Sequence, residues 1–70
     1  MAESVYKIIE LVGTSTESWE AAARGAVERA SSTLRDQRIA EVDKLDMTVD
    51  NNKVILYRAK IKLSFMYEEG

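Results

Sequence analysis

Lys53-Val54-Ile55-Leu56-Tyr57-Arg58-Ala59-Lys60-Ile61-Lys62-Leu63-Ser64-Phe65-Met66-Tyr67 alternates along its whole length. Ile55, Tyr57, Ala59, Ile61, Leu63, Phe65 and Tyr67 fall on one side of an extended chain. Leu56, Arg58, Lys60, Lys62, Ser64 and Met66 fall on the other. A period of two this sustained predicts a strand with one face on a core and the other polar. At 15 residues it would be roughly 50 Å long. Just before it, Asp50-Asn51-Asn52 reads as a hairpin turn, because Asn and Asp tolerate positive φ. The hairpin partner spans about Arg38 to Val49. Its pattern is mixed: Ala40 and Val42 are expected to point inward, whereas Ile39, Leu45, Met47 and Val49 share the opposite face with Glu41 and Asp43. A face of that composition is expected to be buried against another subunit.

Working outward from the hairpin, the N-terminal half supplies a strand and a helix. Val5 to Val12 is rich in β-branched and apolar residues, which favours a strand. Val5, Lys7, Ile9 and Leu11 lie on one face, and Tyr6, Ile8, Glu10 and Val12 on the other. Gly13 is expected to end it. Thr14 and Glu17 have the spacing of a capping box, with Ser15 or Thr16 as other caps. A helix should follow to about Leu34 or Arg35, because Trp19, Ala23, Ala26, Val27, Ala30 and Leu34 recur with a 3.6-residue period. Its alanine seam permits close approach to a sheet, and Trp19 is its bulky anchor. Gly25 interrupts it at a cost of about 1 kcal/mol relative to Ala, which a close contact would explain. The expected fold is α+β: a single domain over residues 1–70, β-α-β-β, with a three-stranded antiparallel sheet wrapped around one helix. A helix of about 20 residues is roughly 30 Å long, so the hairpin outruns it.

Seventy residues limit the core to roughly 3–5 kcal/mol of net stability. Domains this small gain the rest from disulfides, metals or oligomerisation. The chain has no Cys and no His, so disulfides, thiolate metal sites and the commonest general base are excluded. Self-association is the route left. A formal charge of −2 argues against nucleic acid as the main partner, since phosphate binding needs clustered positive charge. No apolar run approaches the roughly 20 residues of a membrane span, and Met1-Ala2-Glu3-Ser4 lacks the basic start of an export signal. A cytoplasmic protein is expected.

The residues point away from catalysis. The acidic groups are scattered, no partner activates a Ser or Thr, and Gly13 opens no glycine-rich phosphate loop. Arg58, Lys60 and Lys62 form a basic stripe, expected to pair with Glu41 and Asp43 across the hairpin. A site for an anionic ligand on an oligomer surface is the sharper reading of the same stripe. Asp43, Asp46, Asp50 and Asn51 gather near the hairpin tip. They offer the hard oxygen that calcium prefers, but without EF-hand spacing.

Glu10-Leu11-Val12-Gly13-Thr14-Ser15-Thr16-Glu17-Ser18-Trp19, followed by Ala26-Val27-Glu28-Arg29-Ala30, Glu41-Val42 and Tyr57, resembles the dodecin family over nearly the whole chain. The resemblance implies a β-α-β-β subunit, twelve of which close a hollow, roughly spherical shell. It also implies storage or buffering of flavins, riboflavin or FMN, at subunit interfaces, and no enzyme activity. Some members bind coenzyme A or metal ions. Three implied flavin positions depart from the pattern: Ile39 stands where a stacking Trp is expected, Arg58 where a Gln meets the ring edge, and Asp46 where a basic residue meets the phosphate. Ile39 offers no aromatic stack, and Arg58 has no acceptor for the ring N–H. Arg38-Ile39-Ala40 and Asp46-Met47-Thr48-Val49-Asp50 instead resemble the calcium dodecins, a branch without the Trp, which implies Asp46 and Asp50 as calcium ligands. Together these features imply a homododecameric shell storing a small ligand or an ion, calcium foremost, with a degenerate flavin site. A flavin-sequestering dodecin with a variant pocket, or a structural cage, are the alternatives.

Overall fold

A computed structural model describes residues 4–33 and 35–69, with side chains as far as Met66. The order is β1 (Ser4–Ser15), α1 (Trp19–Ala30), β2 (Gln37–Asp50) and β3 (Lys53–Glu69). The sheet is antiparallel with order β1-β3-β2, so the longest and most regularly patterned strand lies in the middle. This is the β-α-β-β, three-stranded, one-helix architecture expected from the sequence.

The alternation of β3 sorts as predicted from Ala59 to Leu63, whereas Ile55, expected on the same covered face, is 46% exposed. Ala59, Ile61 and Leu63 are completely buried, and Ala22 of α1 packs with Ala59 and Ile61. Leu11, Ala23, Ala26 and Val27 pack around this small cluster. The expected inward position of Tyr67, like the expected helix position of Leu34, lies outside the described side chains.

Two expectations about the strand-to-helix junction need correction. β1 does not stop at Gly13 but continues to Ser15. Gly13 is there because α1 lies almost on top of it: a Cβ at this position would stand 2.1 Å from the Ala22 carbonyl oxygen and 3.0 Å from the Ala26 Cβ. The helix cap is also neither Thr14 nor Ser15 nor Thr16. Ser18, extended at φ −167°, is the cap, and its Oγ accepts from the Ala21 N–H at 3.0 Å. Ser15 serves the turn instead, with Oγ accepting from the Glu17 N–H at 2.9 Å.

The helix ends earlier than expected, at Ala30. The hydroxyls of Ser31, Ser32 and Thr33 each donate to the carbonyl three residues back. Such local bonds compete with the helical ladder. Gly25 has nothing within 4 Å of its Cβ position, so no contact among the described residues accounts for it.

The facing of β2 also differs from the expected one. Val42 is in register with Ile61 but Lys44 with Lys60, so Asp43 is an extra residue in the strand. Such a bulge exchanges the two faces beyond it. Leu45 therefore joins Ala40 and Val42 toward the helix, opposite Ala59, and Met47 stands opposite Tyr57. They do not share the face of Ile39. Lys44 and Asp46 take that outer face.

The subunit is elongated, 55 × 20 × 13 Å, with a Cα radius of gyration of 14.5 Å. A compact domain of 70 residues would have about 11 Å. The 12-residue helix lies over β1 and β3 and barely reaches β2. It covers only part of the hairpin, as the length argument requires.

Candidate functional site

The bulge at Asp43 turns Asp46 to the face that carries Arg58, and these two side chains form a two-pronged ion pair. Arg58 Nε donates to Asp46 Oδ1 at 2.7 Å, and a terminal guanidinium N–H donates to Oδ2 at 3.1 Å. Both carboxylate oxygens are engaged by one planar fork. The guanidinium hydrogen bonds hold the Asp46 carboxyl below its ordinary range, and Asp46 in turn raises Arg58.

On the inner side of the same strand, the indole N–H of Trp19 donates to the Asp46 carbonyl at 2.9 Å. The ring meets Tyr57 edge-on, with centroids 5.2 Å apart and planes at 73°. Trp19 is therefore more than half-buried filler, because it also ties the first turn of α1 to β2. An indole N–H in a packed position needs an acceptor, and that requirement was the available sequence signal. Between α1 and β2 runs an apolar groove of about 420 Å³, walled by Trp19, Ala23, Val27, Val42, Leu45 and Ile61. It exists because the bulge brings Leu45 to the helix side, which strand periodicity alone does not reveal.

Two members of the basic stripe are ion-paired, with partners other than Glu41 and Asp43, while Lys62 has the expected Glu41 across the hairpin. Arg58 meets Asp46, and Lys60 meets Glu10 of β1 at 3.5 Å. Glu41 stands across from Lys62, and Asp43 is the bulge residue. With β3 central, the stripe draws counter-ions from both neighbouring strands.

Acid should report on the Asp46–Arg58 pair. A carboxyl whose folded pKa is depressed adds stability above its unfolded value, and that stability is lost as pH falls through the folded value. Wild-type protein is therefore expected to lose more stability than Asp46→Asn as pH drops from the ordinary carboxylate range downward, and equally little above it. Urea denaturation at a series of pH values checks this. The pair is half exposed, so the difference should be small and should shrink with added salt.

The other candidate residues are spread out. Ile39 is 66% exposed on the outer face, opposite Ser64, whose hydroxyl donates to the Ile39 carbonyl at 3.3 Å. Ser64 is six residues from Arg58, or roughly 20 Å along the strand. Ile39 and Arg58 of one chain thus do not line one pocket. Asp50 lies at the hairpin end, in register with Lys53 and next to Asn51 and Asn52, both at positive φ. Four residues separate it from Asp46, roughly 13 Å of strand. Two oxygens on one calcium lie within about 5 Å of each other, and side chains standing off a sheet do not close that gap. All three oxygens of Asp46, moreover, already accept hydrogen bonds. Among the described residues no group of three or more acidic side chains is placed to hold a metal ion. The Asp46 carboxylate is thus paired with Arg58 and is not brought together with Asp50 at the hairpin end.

Among the described residues no helix is long and apolar enough to cross a membrane. The dodecin family model matches residues 5–68. A calcium dodecin of Mycobacterium tuberculosis is 50% identical over 62 residues, 89% of this chain and 87% of that protein. A dodecin structure from Streptomyces coelicolor superposes with a TM-score of 0.90 at 36% identity and covers all of both chains. A structure of calcium dodecin from M. tuberculosis, described as a calcium chelating immunodominant antigen with a novel calcium-binding site, superposes at 0.83 with 46% identity over 96% of each chain.

Proposed function

The chain belongs to the dodecin family, and from that premise we propose that it is a ligand-binding storage protein, working as a closed shell of twelve copies whose binding sites lie where copies meet. The observation that carries this reading is how little one subunit buries. Among the described residues, four apolar side chains are fully buried, while eleven large ones are 43% exposed or more. An exposed set of that size signals interaction surface. It runs along both sheet faces, through Tyr6, Ile8, Val12 and Ile39 on one and Val42, Leu45 and Met47 on the other. Both faces therefore have surface for neighbours to cover.

Calcium is the favoured ion, on the strength of the relatives described as calcium dodecins. Because one subunit does not assemble a calcium site from Asp46 and Asp50, the ligands would come from more than one copy. Flavin storage is disfavoured by the side chains present: Ile39 gives no aromatic platform, and Arg58 is already engaged with Asp46.

Light scattering and two titrations test the reading. The expected particle has about twelve times the 7.9 kDa chain mass. Calorimetry should give calcium-binding heat that a chelator abolishes, and riboflavin fluorescence should be unchanged by submicromolar protein. A monomer would overturn the shell. Riboflavin quenching would replace calcium by flavin as the stored ligand, and absence of heat would remove calcium.

A further inference from the structure

Asp46 is the residue at which the proposed cation binding and the observed hydrogen bonding compete. A calcium ion gathers six to eight oxygens at 2.3–2.6 Å. Residue 46 owns three oxygens, and each is spent within the subunit: the carboxylate on the Arg58 fork, the carbonyl on the Trp19 indole. A cation arriving at this carboxylate would have to strip two charge-assisted hydrogen bonds and stand beside a guanidinium whose charge is permanent. The next carboxylate along β2, Asp50, is too far away to help. On the outer face close by, Lys44 stands in register with Lys60, which is itself paired with Glu10.

We infer that Arg58 is the specificity-determining residue of this part of the sheet: by taking both oxygens of Asp46 it keeps divalent cations off that carboxylate, and any cation the chain binds is ligated elsewhere. The Asp46–Arg58 pair is then a cross-strand contact on the outer face of the sheet. With Trp19 on the carbonyl it pins the bulged strand to β3 on one side and to the helix on the other. This inference deepens the cation-binding reading and rests on it for the choice of probe.

The single tryptophan of the chain gives a local readout. Terbium, a luminescent substitute for calcium, emits when excited through a nearby indole, and an ion on Asp46 would sit on the residue whose carbonyl holds the Trp19 indole. The first measurement compares full-length wild type with Asp46→Asn by calcium calorimetry. Affinity should change by less than about twofold; loss of a genuine ligand costs at least about tenfold, and a drop of that size would overturn the inference. The second measurement uses Arg58→Met, with Arg58→Gln as a replacement if the first does not assemble. Freeing the carboxylate should create Trp19-sensitised terbium emission that disappears in the double variant with Asp46→Asn. An Arg58 variant of native size without any Asp46-dependent emission would equally refute the role of Arg58. If wild type binds no calcium at all, the storage reading fails for calcium, while the Arg58 variants still decide the present inference.

Discussion

Gly13→Ala is expected to abolish the stable subunit. The added methyl carbon would lie 2.1 Å from the backbone oxygen of Ala22 and 3.0 Å from its carbonyl carbon. No flexible side chain can give way, because the obstacle is the helix backbone itself. The helix would have to lift off β1 by more than an ångström, and Ala22 is the helix residue that closes the core. Overpacking of this kind costs about 3 kcal/mol. That approaches the whole net stability of roughly 3–5 kcal/mol that a core of this size supplies. Circular dichroism with urea denaturation should show little cooperative transition. Gly25→Ala is the matched control: open space surrounds its Cβ position, and the helix should gain about 1 kcal/mol. If Gly13→Ala unfolds at the same urea concentration as wild type, the close approach of helix and strand is wrong.

Ile61→Ala should be at least as severe. Ile61 is completely buried at the centre of the middle strand, in register with Leu11 on one side and Val42 on the other. Removing three carbons there loses burial and leaves a cavity that rigid neighbouring strands cannot fill. The expected loss is about 4 kcal/mol. Ile61→Val, which removes one carbon, should cost about 1 kcal/mol. Urea midpoints measured at fixed protein concentration separate the two variants. Equal midpoints would mean that assembly with other copies, and not this core, sets the stability. Protein concentration is held constant because coupled association makes the midpoint depend on it.

The elements were legible where one strong period ran unopposed. The alternation of Lys53–Tyr67 identified β3, and Ala59, Ile61 and Leu63 are buried as it requires. The alanine seam identified α1, because a helix that must lie close to a sheet needs small residues on its inner face. Boundaries were less legible. Ser15, Thr16 and Ser18 can all cap a helix, and the choice of Ser18 depends on how far β1 stays paired to β3, down to Ser15 opposite Tyr57. Likewise, Ser31 to Thr33 bond back onto the helix and stop it before its apolar seam runs out.

The candidate site was less legible still. Counted along an ideal strand, Asp46 falls on the inner face with Ala40 and Val42, and Arg58 on the outer. They meet only because Asp43 is extra. A bulge is a property of two paired strands, since the partner β3 decides which residue goes unmatched.

By itself the sequence determined the order of elements, the buried side of β3 and the absence of His and Cys chemistry. All of these follow from residue type and local period. The tertiary structure decided that Asp46 faces Arg58 and not the helix, that Trp19 is tied to the same residue, and that Gly13 is a contact point and not a strand end. Each of these depends on how a second segment is placed against the first, at a precision of one residue or one methyl group.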